Sequence, residues 1–160
     1  MFTTKEYIVH FEIWKQLVND IGYNKAGTYK VRCFADDQKS YRATSRLLGQ
    51  DTDGVLYIGS ARKCLITRIL KLRTSLCSAA NNGFANTNAH QCGKKYSSAI
   101  QAQFPFKDLC VTIYPVPHDY TGDAEDIEVT ESRSYENKFG EVPPLNDVHP
   151  KARWRPHEQI

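Results

Sequence analysis

The sequence has no long hydrophobic run, no paired-cysteine motif and no strong excess of either charge. No stretch is long and apolar enough to span a membrane, and the chain does not begin with an apolar run behind basic residues, so we expect neither a membrane span nor a signal peptide. The five cysteines are odd in number and lack CxxC spacing, which argues against a disulfide framework or a zinc ribbon. We therefore expect a cytoplasmic protein with free thiols and no membrane partner.

The charge balance is nearly even, with 21 Lys and Arg against 18 Asp and Glu and a net charge of +3. So small an excess does not by itself indicate a nucleic-acid partner. The distribution is more informative, because acidic residues crowd positions 119–141 and leave positions 25–95 distinctly basic. The 160 residues suit one domain, residues 1–160, with no internal repeat.

Hydrophobic periodicity predicts the elements of this domain. A stripe of apolar residues predicts a helix from Thr3 to Ile21, capped by Thr3 with Glu6 and ended by Gly22, in an N-terminal helical extension of residues 1–25. Three β-rich runs predict strands at 27–34, 55–58 and 109–116, and helical spacing predicts helices at 62–76 and about 123–139, separated in part by a loop at 78–88. The polar insertion at 35–54 is too long for a simple hairpin turn, so it either carries function or is a disordered loop.

Two short motifs lie on neighbouring predicted strands. Gly27-Thr28-Tyr29 begins the first strand, and Tyr57-Ile58-Gly59 ends the second. Because side chains alternate along strands, the two tyrosines of such a hairpin can share one face. Farther along lie an arginine on a helix, a glutamate on a later helix and an asparagine after two prolines: Arg68, Glu131 and Asn146. Each residue alone is more often structural or solvated, so it is their joint occurrence that indicates a site.

In this order the motifs resemble those of the GIY-YIG nuclease family, over about residues 26–146, and the organisation is most similar to its type II restriction endonucleases. The resemblance implies an α/β (α+β) fold in which a small three-stranded antiparallel sheet is flanked by helices. It also implies a catalytic core at 26–146 that carries a hairpin insertion, followed by a C-terminal tail at 147–160.

The resemblance further implies a metal-dependent DNA endonuclease. By that analogy Tyr29 is the general base, which needs a nearby cation because a phenol ionises near pH 10, and Tyr57 hydrogen-bonds the water or phosphate. Arg68 offers a planar fork to phosphate, and Glu131 supplies one carboxylate to Mg²⁺ or another divalent cation such as Mn²⁺. Asn146 buttresses the site or, as the alternative, forms an Asx turn.

The chain departs from the family pattern in three respects. The first motif has Thr28 at its centre, which is a β-branched replacement for Ile, and the segment between the two motifs is long, as in restriction members. Many members carry a His or Tyr one turn after the arginine, where this chain has Leu72. The substitutes for that second proton-handling group are Lys71, Arg73 and His90.

Double-stranded DNA is the expected partner, contacted mainly by lysine and arginine at phosphates. The candidate residues are Lys39, Arg42, Arg46, Arg62, Lys63, Lys94 and Lys95. Arginines of the insertion are the candidates for reading guanine edges in the major groove. Double-strand cleavage would favour a homodimer. The alternatives are a structure-specific or repair nuclease that nicks DNA as a monomer, and a nucleic-acid-binding module without catalysis.

Overall fold

The computed structural model describes residues 5–8, 13–22, 25–83, 90–117 and 122–147. The strands are β1 (Lys5–Ile8), β2 (Gly27–Cys33), β3 (Thr44–Arg46), β4 (Gly49–Asp51), β5 (Tyr57–Ala61) and β6 (Leu109–Pro115). The helices are α1 (Ile13–Ile21), α2 (Leu65–Asn82), α3 (Gln91–Lys95), α4 (Ser98–Gln103) and α5 (Ala124–Phe139), with a 3₁₀ turn at Phe106–Asp108. The chain therefore mixes α and β elements, as expected.

The central sheet is antiparallel throughout, with the strand order β1-β6-β2-β5. Strand β2 lies inside the sheet, where Tyr29 is opposite Gly59 on β5 and opposite Ile113 on β6. Strands β2, β5 and β6 form the predicted three-stranded antiparallel sheet with helices on both sides, so that part of the fold is confirmed. The insertion is ordered, because β3 and β4 pair as a separate hairpin.

The two faces of the sheet pack against different helices. Alternate residues of β2, beginning with Tyr29 and Val31, join the main core with the apolar side of α2. The intervening residues of β2 lie on the other face, beneath α5, where Ile58 of β5 packs with Tyr135 and Phe139. Strand alternation therefore places the tyrosine pair on the α2 face.

The predicted helix at Thr3–Ile21 is wrong in its first half. Residues Lys5–Ile8 form β1, which pairs with β6 from Lys5↔Ile113 to Ile8↔Cys110. The edge of β6 offers unpaired backbone groups, and pairing with them outweighs the weak helical preference of this segment. The helix proper is α1, and Gly22 ends it with φ +73° as predicted. Thr3, its expected cap, lies outside the described residues.

Two other boundaries follow from local chemistry. Helix α5 begins after Asp123, whose carboxylate accepts the Glu125 amide in a capping box with Asp126, and it ends at Gly140 with φ +77°, both as predicted. The loop predicted from residue 78 is wrong at its start, because α2 continues to Asn82 through the buried Ala79. Residues 84–89 and 148–160, with most of the predicted tail, lie outside the described part of the chain.

None of the helices in the described ranges is both long enough and apolar enough to span a lipid bilayer.

Candidate active site

The motif glycines make room for the tyrosines and for helix α2. A β-carbon at position 59 would lie 2.7 Å from the hydroxyl oxygen of Tyr29 and 2.6 Å from Cε1 of Tyr57. At position 27 it would lie 2.5 Å from Cδ1 of Leu65 and 2.5 Å from the carbonyl oxygen of Tyr114. All four distances are far below van der Waals contact. Only glycine therefore fits at position 59, beneath the phenol ring, and at position 27, beside the start of α2.

The two motif tyrosines meet a histidine in a buried cluster. The rings of Tyr29 and Tyr57 have centroids 6.0 Å apart, and the His90 ring meets Tyr57 edge-on at 5.4 Å. The Tyr29 hydroxyl oxygen lies 2.8 Å from Nε2 of His90. Tyr29 is 0% exposed, Tyr57 5% and His90 6%, so the structure brings the two predicted tyrosines together but buries both phenols.

His90 is fixed on both of its ring nitrogens and through its backbone. It caps α3, where its Nδ1 accepts the amide of Cys92 at 3.2 Å. Its carbonyl oxygen accepts the Ser75 hydroxyl at 3.1 Å, and Gly93 allows α3 to approach α2 at this point, because a β-carbon there would overlap the Ser75 side chain. Burial, and secondarily the charge of Arg68, lowers the pKa of His90 to about 3, so the ring is neutral near pH 7.

Arg68 lies at the mouth of this cluster. It belongs to the first turn of α2, its residue is exposed, and its guanidinium is near enough to the Tyr29 hydroxyl to act on the pKa of that phenol. Burial raises the pKa of Tyr29 well above its ordinary value, with a further rise from Tyr57, and Arg68 opposes that rise. Burial likewise raises the pKa of Tyr57. Both phenols are therefore protonated at neutral pH in the free protein.

The carboxylate beside this cluster is Glu128. Its Oε2 accepts the hydroxyl of Ser60 on β5, and its charge acts on both Arg68 and Tyr57. Burial raises the pKa of Glu128, while the Ser60 hydrogen bond and Arg68 lower it. Glu128 is thus a partly buried carboxylate that is bonded to β5 through Ser60 and acts electrostatically on Arg68 and Tyr57.

Glu131, the carboxylate predicted from sequence, lies one turn farther along α5. Its Oε1 pairs with Lys30 at 3.4 Å, and its Oε2 is buried with no hydrogen-bond partner among the described residues. Both groups line a cavity of about 340 Å³ between α5 and the sheet, together with Arg32, Asp51 and other side chains. The structure therefore groups Glu131 with Lys30 and groups Glu128 with the tyrosines and arginine.

The side chain of Asn146 hydrogen-bonds the outer edge of strand β5. Its side-chain oxygen accepts the amide of Ile58 at 3.0 Å, and its Nδ2 donates to the carbonyl of Ile58 at 2.9 Å. Leu145 adds a backbone hydrogen bond to Leu56 at 2.8 Å. These contacts satisfy the edge groups of the strand that carries Tyr57, and the buttressing role of Asn146 stays a prediction.

The predicted DNA-contacting cations divide into two groups. Lys39, Lys63 and Lys94 are exposed. The other four contact the protein itself: Arg42 pairs with Asp36 at 2.8 Å, Arg46 with Glu141 at 3.3 Å, Arg62 with Glu125 at 2.8 Å and Lys95 with Asp147 at 2.6 Å. Base readout by the two insertion arginines would require them to leave these partners, and it stays a prediction.

A single divalent cation fits the chemistry of this site. Glu128 offers a hard carboxylate oxygen, and the Ser60 hydroxyl lies beside it. The described residues hold no group of three or more His, Cys, Asp or Glu side chains suited to a metal. A cation here would take its remaining ligands from water and phosphate, as Mg²⁺ commonly does.

Comparison of the chain with models of protein families, with curated proteins and with solved structures finds no match. The resemblance to the GIY-YIG family therefore depends on the residues themselves and on their arrangement.

Sequence reasoning did not select Glu128. Residues 128 and 131 are three apart on one helix and so lie on neighbouring parts of the same face. Periodicity alone cannot distinguish them. The distinguishing feature is the Ser60 hydroxyl, which follows Gly59 on β5 and forms the hydrogen bond to Glu128. His90 was one of three named substitutes, and it is the one whose ring contacts both tyrosines.

Proposed function

We propose that this protein is a metal-dependent DNA endonuclease of the GIY-YIG type that hydrolyses phosphodiester bonds. The observation that supports the proposal is the proximity of Tyr29, Tyr57, Arg68 and Glu128, although the four come from four separate elements, β2, β5, α2 and α5. A plain apolar core needs neither a guanidinium on a buried phenol nor a carboxylate beside it, since both groups lose hydration there.

Arg68 acts first in the proposed reaction. Its fork matches the geometry of a phosphate, and the guanidinium is exposed enough to bind one. Because the guanidinium has several N–H groups, Arg68 can bind the phosphate while its charge stays beside the Tyr29 oxygen. Substrate binding and stabilisation of the base are thereby coupled in one side chain.

Both phenols, Tyr29 and Tyr57, then take part in the hydrolytic step. Tyr29 first releases its phenolic proton to solvent, and the phenolate then accepts a proton from the attacking water while the new bond from that oxygen to phosphorus forms and the bond to the leaving oxygen breaks. Tyr57 orients the water or the phosphate by hydrogen bonding. A divalent cation such as Mg²⁺ or Mn²⁺, held by Glu128, would neutralise charge on the phosphoryl and leaving oxygens.

Glu128 replaces Glu131 as the proposed metal ligand in this scheme, for a geometric reason. Glu131 is already paired with Lys30, which would compete with a cation for the same carboxylate. Glu128 makes a neutral hydrogen bond to Ser60 and so keeps its charge available. Asn146 holds β5 in place, and Lys39, Lys63 and Lys94 are the exposed cations available to DNA phosphates.

The test is cleavage of supercoiled plasmid DNA with Mg²⁺ by the wild-type protein and by two matched variants. We expect Glu128→Gln to stop cleavage while it still retards DNA in a gel, and Glu131→Gln to cleave at close to the wild-type rate. The reverse pattern would restore Glu131 as the metal ligand. Absence of cleavage of plasmid, branched or nicked DNA by the wild type would overturn the proposal.

The products of the same digest separate the finer alternatives. Discrete bands indicate a sequence-specific restriction-like enzyme that cuts both strands, most simply as a homodimer. Open circles or a preference for branched DNA indicate a nicking or repair enzyme. Retardation without cleavage indicates a nucleic-acid-binding module.

A further inference from the structure

His90 has a geometry that the proposed reaction does not yet use. Its ring approaches Tyr29 from the loop before α3, which is 61 residues away in the chain, and Nε2 lies 2.8 Å from the phenol oxygen. Each ring nitrogen has a defined neighbour, so the position of the ring proton can be worked out from the contacts.

The hydrogen bond at Nδ1 decides the tautomer. The amide of Cys92 is a donor, so Nδ1 of His90 must be the acceptor and carries no proton. The neutral ring then has its proton on Nε2, which donates to the Tyr29 oxygen. The positive charge of Arg68 acts on the same oxygen. A hydrogen-bond donor and a cation therefore both face the phenol oxygen, an arrangement that favours the negatively charged form of that oxygen.

We infer that His90 is a positioning residue for Tyr29, which holds the phenol oxygen in place and stabilises its phenolate through Nε2–H. This inference rests on the proposed nuclease function of the same site. His90 is not the base that takes the proton of the phenol, because Nε2 already carries a hydrogen and Nδ1 is occupied by the α3 amide. The other groups that face Tyr29 are Tyr57 from β5, Arg68 from α2 and Cys92 from α3.

The test uses two substitutions that separate the two contacts of the ring. In His90→Asn the amide oxygen can still cap α3, because asparagine is among the best N-caps, but the side chain is too short to reach Tyr29. In His90→Gln the terminal amide can donate to Tyr29 in place of Nε2–H. We expect Asn to slow cleavage on the order of 10- to 100-fold, the effect of one hydrogen bond to a charged acceptor, with unchanged DNA binding. We expect Gln to recover part of that loss.

A spectroscopic readout keeps the test independent of the nuclease assignment. Position 29 is replaced by a fluorinated tyrosine, whose more acidic phenol titrates where the protein is folded, and its absorbance is followed against pH. His90→Asn should move that titration upward by about one pH unit, which is tenfold in the ionisation constant, and Gln should move it less. If the wild type does not cleave DNA, the nuclease proposal fails, but the titration still decides the role of His90.

Two results would overturn the inference. One is a Tyr29 titration that does not change in His90→Asn while the thermal midpoint of that variant is close to wild type. The other is a pH profile of cleavage with an acidic limb near pH 6 to 7, the ordinary range of histidine, that disappears in His90→Gln. That limb would make His90 the proton acceptor itself.

Discussion

The two faces of the central sheet carry different kinds of polar cluster. On the α2 face, the phenol oxygen of Tyr29 has His90 and Arg68 as partners, and the rings pack at 5.4 to 6.3 Å. On the α5 face, a cavity of about 340 Å³ contains buried polar atoms that lack a hydrogen-bond partner in the described part of the chain, Nε of Arg32 and Oε2 of Glu131. The polar groups around Tyr29 on the α2 face are therefore already in contact with one another, whereas the α5 face contains a cavity.

The difference has an energetic consequence. A buried donor or acceptor without a partner costs roughly 1–3 kcal/mol, so the α5 face reaches its full stability only with water in its cavity. Arg32 is 9% exposed and is held by Thr112 at 2.5 Å and by the ring of Tyr41 at 4.9 Å. On the α2 face, the Tyr29 hydroxyl has its partner within the protein. Fixed dipoles aimed at one reacting oxygen favour catalysis because they need not reorganise.

Matched removal of a hydroxyl on each face should give the largest contrast. Tyr29→Phe should reduce cleavage on the order of a thousandfold, because the reaction loses its base, and it should cost about 1–3 kcal/mol of stability, because the buried Nε2 of His90 loses its partner. Tyr135→Phe breaks the 2.9 Å bond to Asp51 on the α5 face. It should cost about 1 kcal/mol of stability and leave cleavage intact. Plasmid cleavage and urea denaturation measure both, and equal cleavage by the two variants would remove the distinction between the faces.

The next largest effect is expected from removal of the edge clamp, by which we mean the two hydrogen bonds from the Asn146 side chain to Ile58 of β5. Asn146→Ala leaves both backbone groups of Ile58 without the side-chain partner, and we expect a loss of about 2–4 kcal/mol, the sum of two lost contacts. Asp147→Ala, which removes only the half-exposed ion pair with Lys95, should change stability by less than about 1 kcal/mol. Thermal unfolding checks both, and similar losses would argue against the clamp.

A smaller effect on stability is expected at Gly59, where the backbone of β5 lies close to the Tyr29 ring. Gly59→Ala should destabilise the fold by about 1–3 kcal/mol, as overpacking usually does, because its β-carbon would overlap Tyr29. Tyr29→Leu removes the overlapping hydroxyl and part of the ring. The double variant should therefore be more stable than the sum of the two single changes predicts. Additive losses would show that the glycine matters for another reason.

The smallest effect concerns the pKa of Glu128, which burial raises in the folded state. A carboxyl with a raised folded pKa favours the folded state only when protonated, so its charge reduces stability as pH rises through the window above the unfolded value of about 4.3. The reduction is therefore larger at pH 7 than at pH 4. Glu128→Gln should thus raise the thermal midpoint slightly at pH 7, and the gain should shrink toward pH 4. A lower midpoint at pH 7 would contradict the burial argument.

The tyrosine pair and its strands were predictable because strand alternation is a local property. Tyr29 and Tyr57 share a face because they lie on paired strands at positions fixed by a period of two. The resemblance implied that Asn146 buttresses the site, but its contact with β5 could not be derived from the sequence. The helix start at Asp123 was predictable because capping depends on residues within one turn.

The features that spacing could not predict depend on how distant elements dock. Glu128 and Glu131 are equivalent on an isolated helix, and only the contact with Ser60, 68 residues away, separates them. Arg62 appears free in the sequence, but its partners Asp123 and Glu125 belong to the start of α5. Lys5–Ile8 form a strand because the edge of β6, more than 100 residues later in the chain, is open to them.

The clamp at Asn146 also determines when the sheet is complete during synthesis. Strand β5 leaves the ribosome about 85 residues before Leu145 and Asn146, which close its edge. Throughout that interval the nascent chain has an open strand that other chains can pair with. Leu145 and Asn146 therefore cover an aggregation-prone strand edge and at the same time fix the strand that carries Tyr57. Until they are synthesised, the chain has neither a protected sheet edge nor an assembled site.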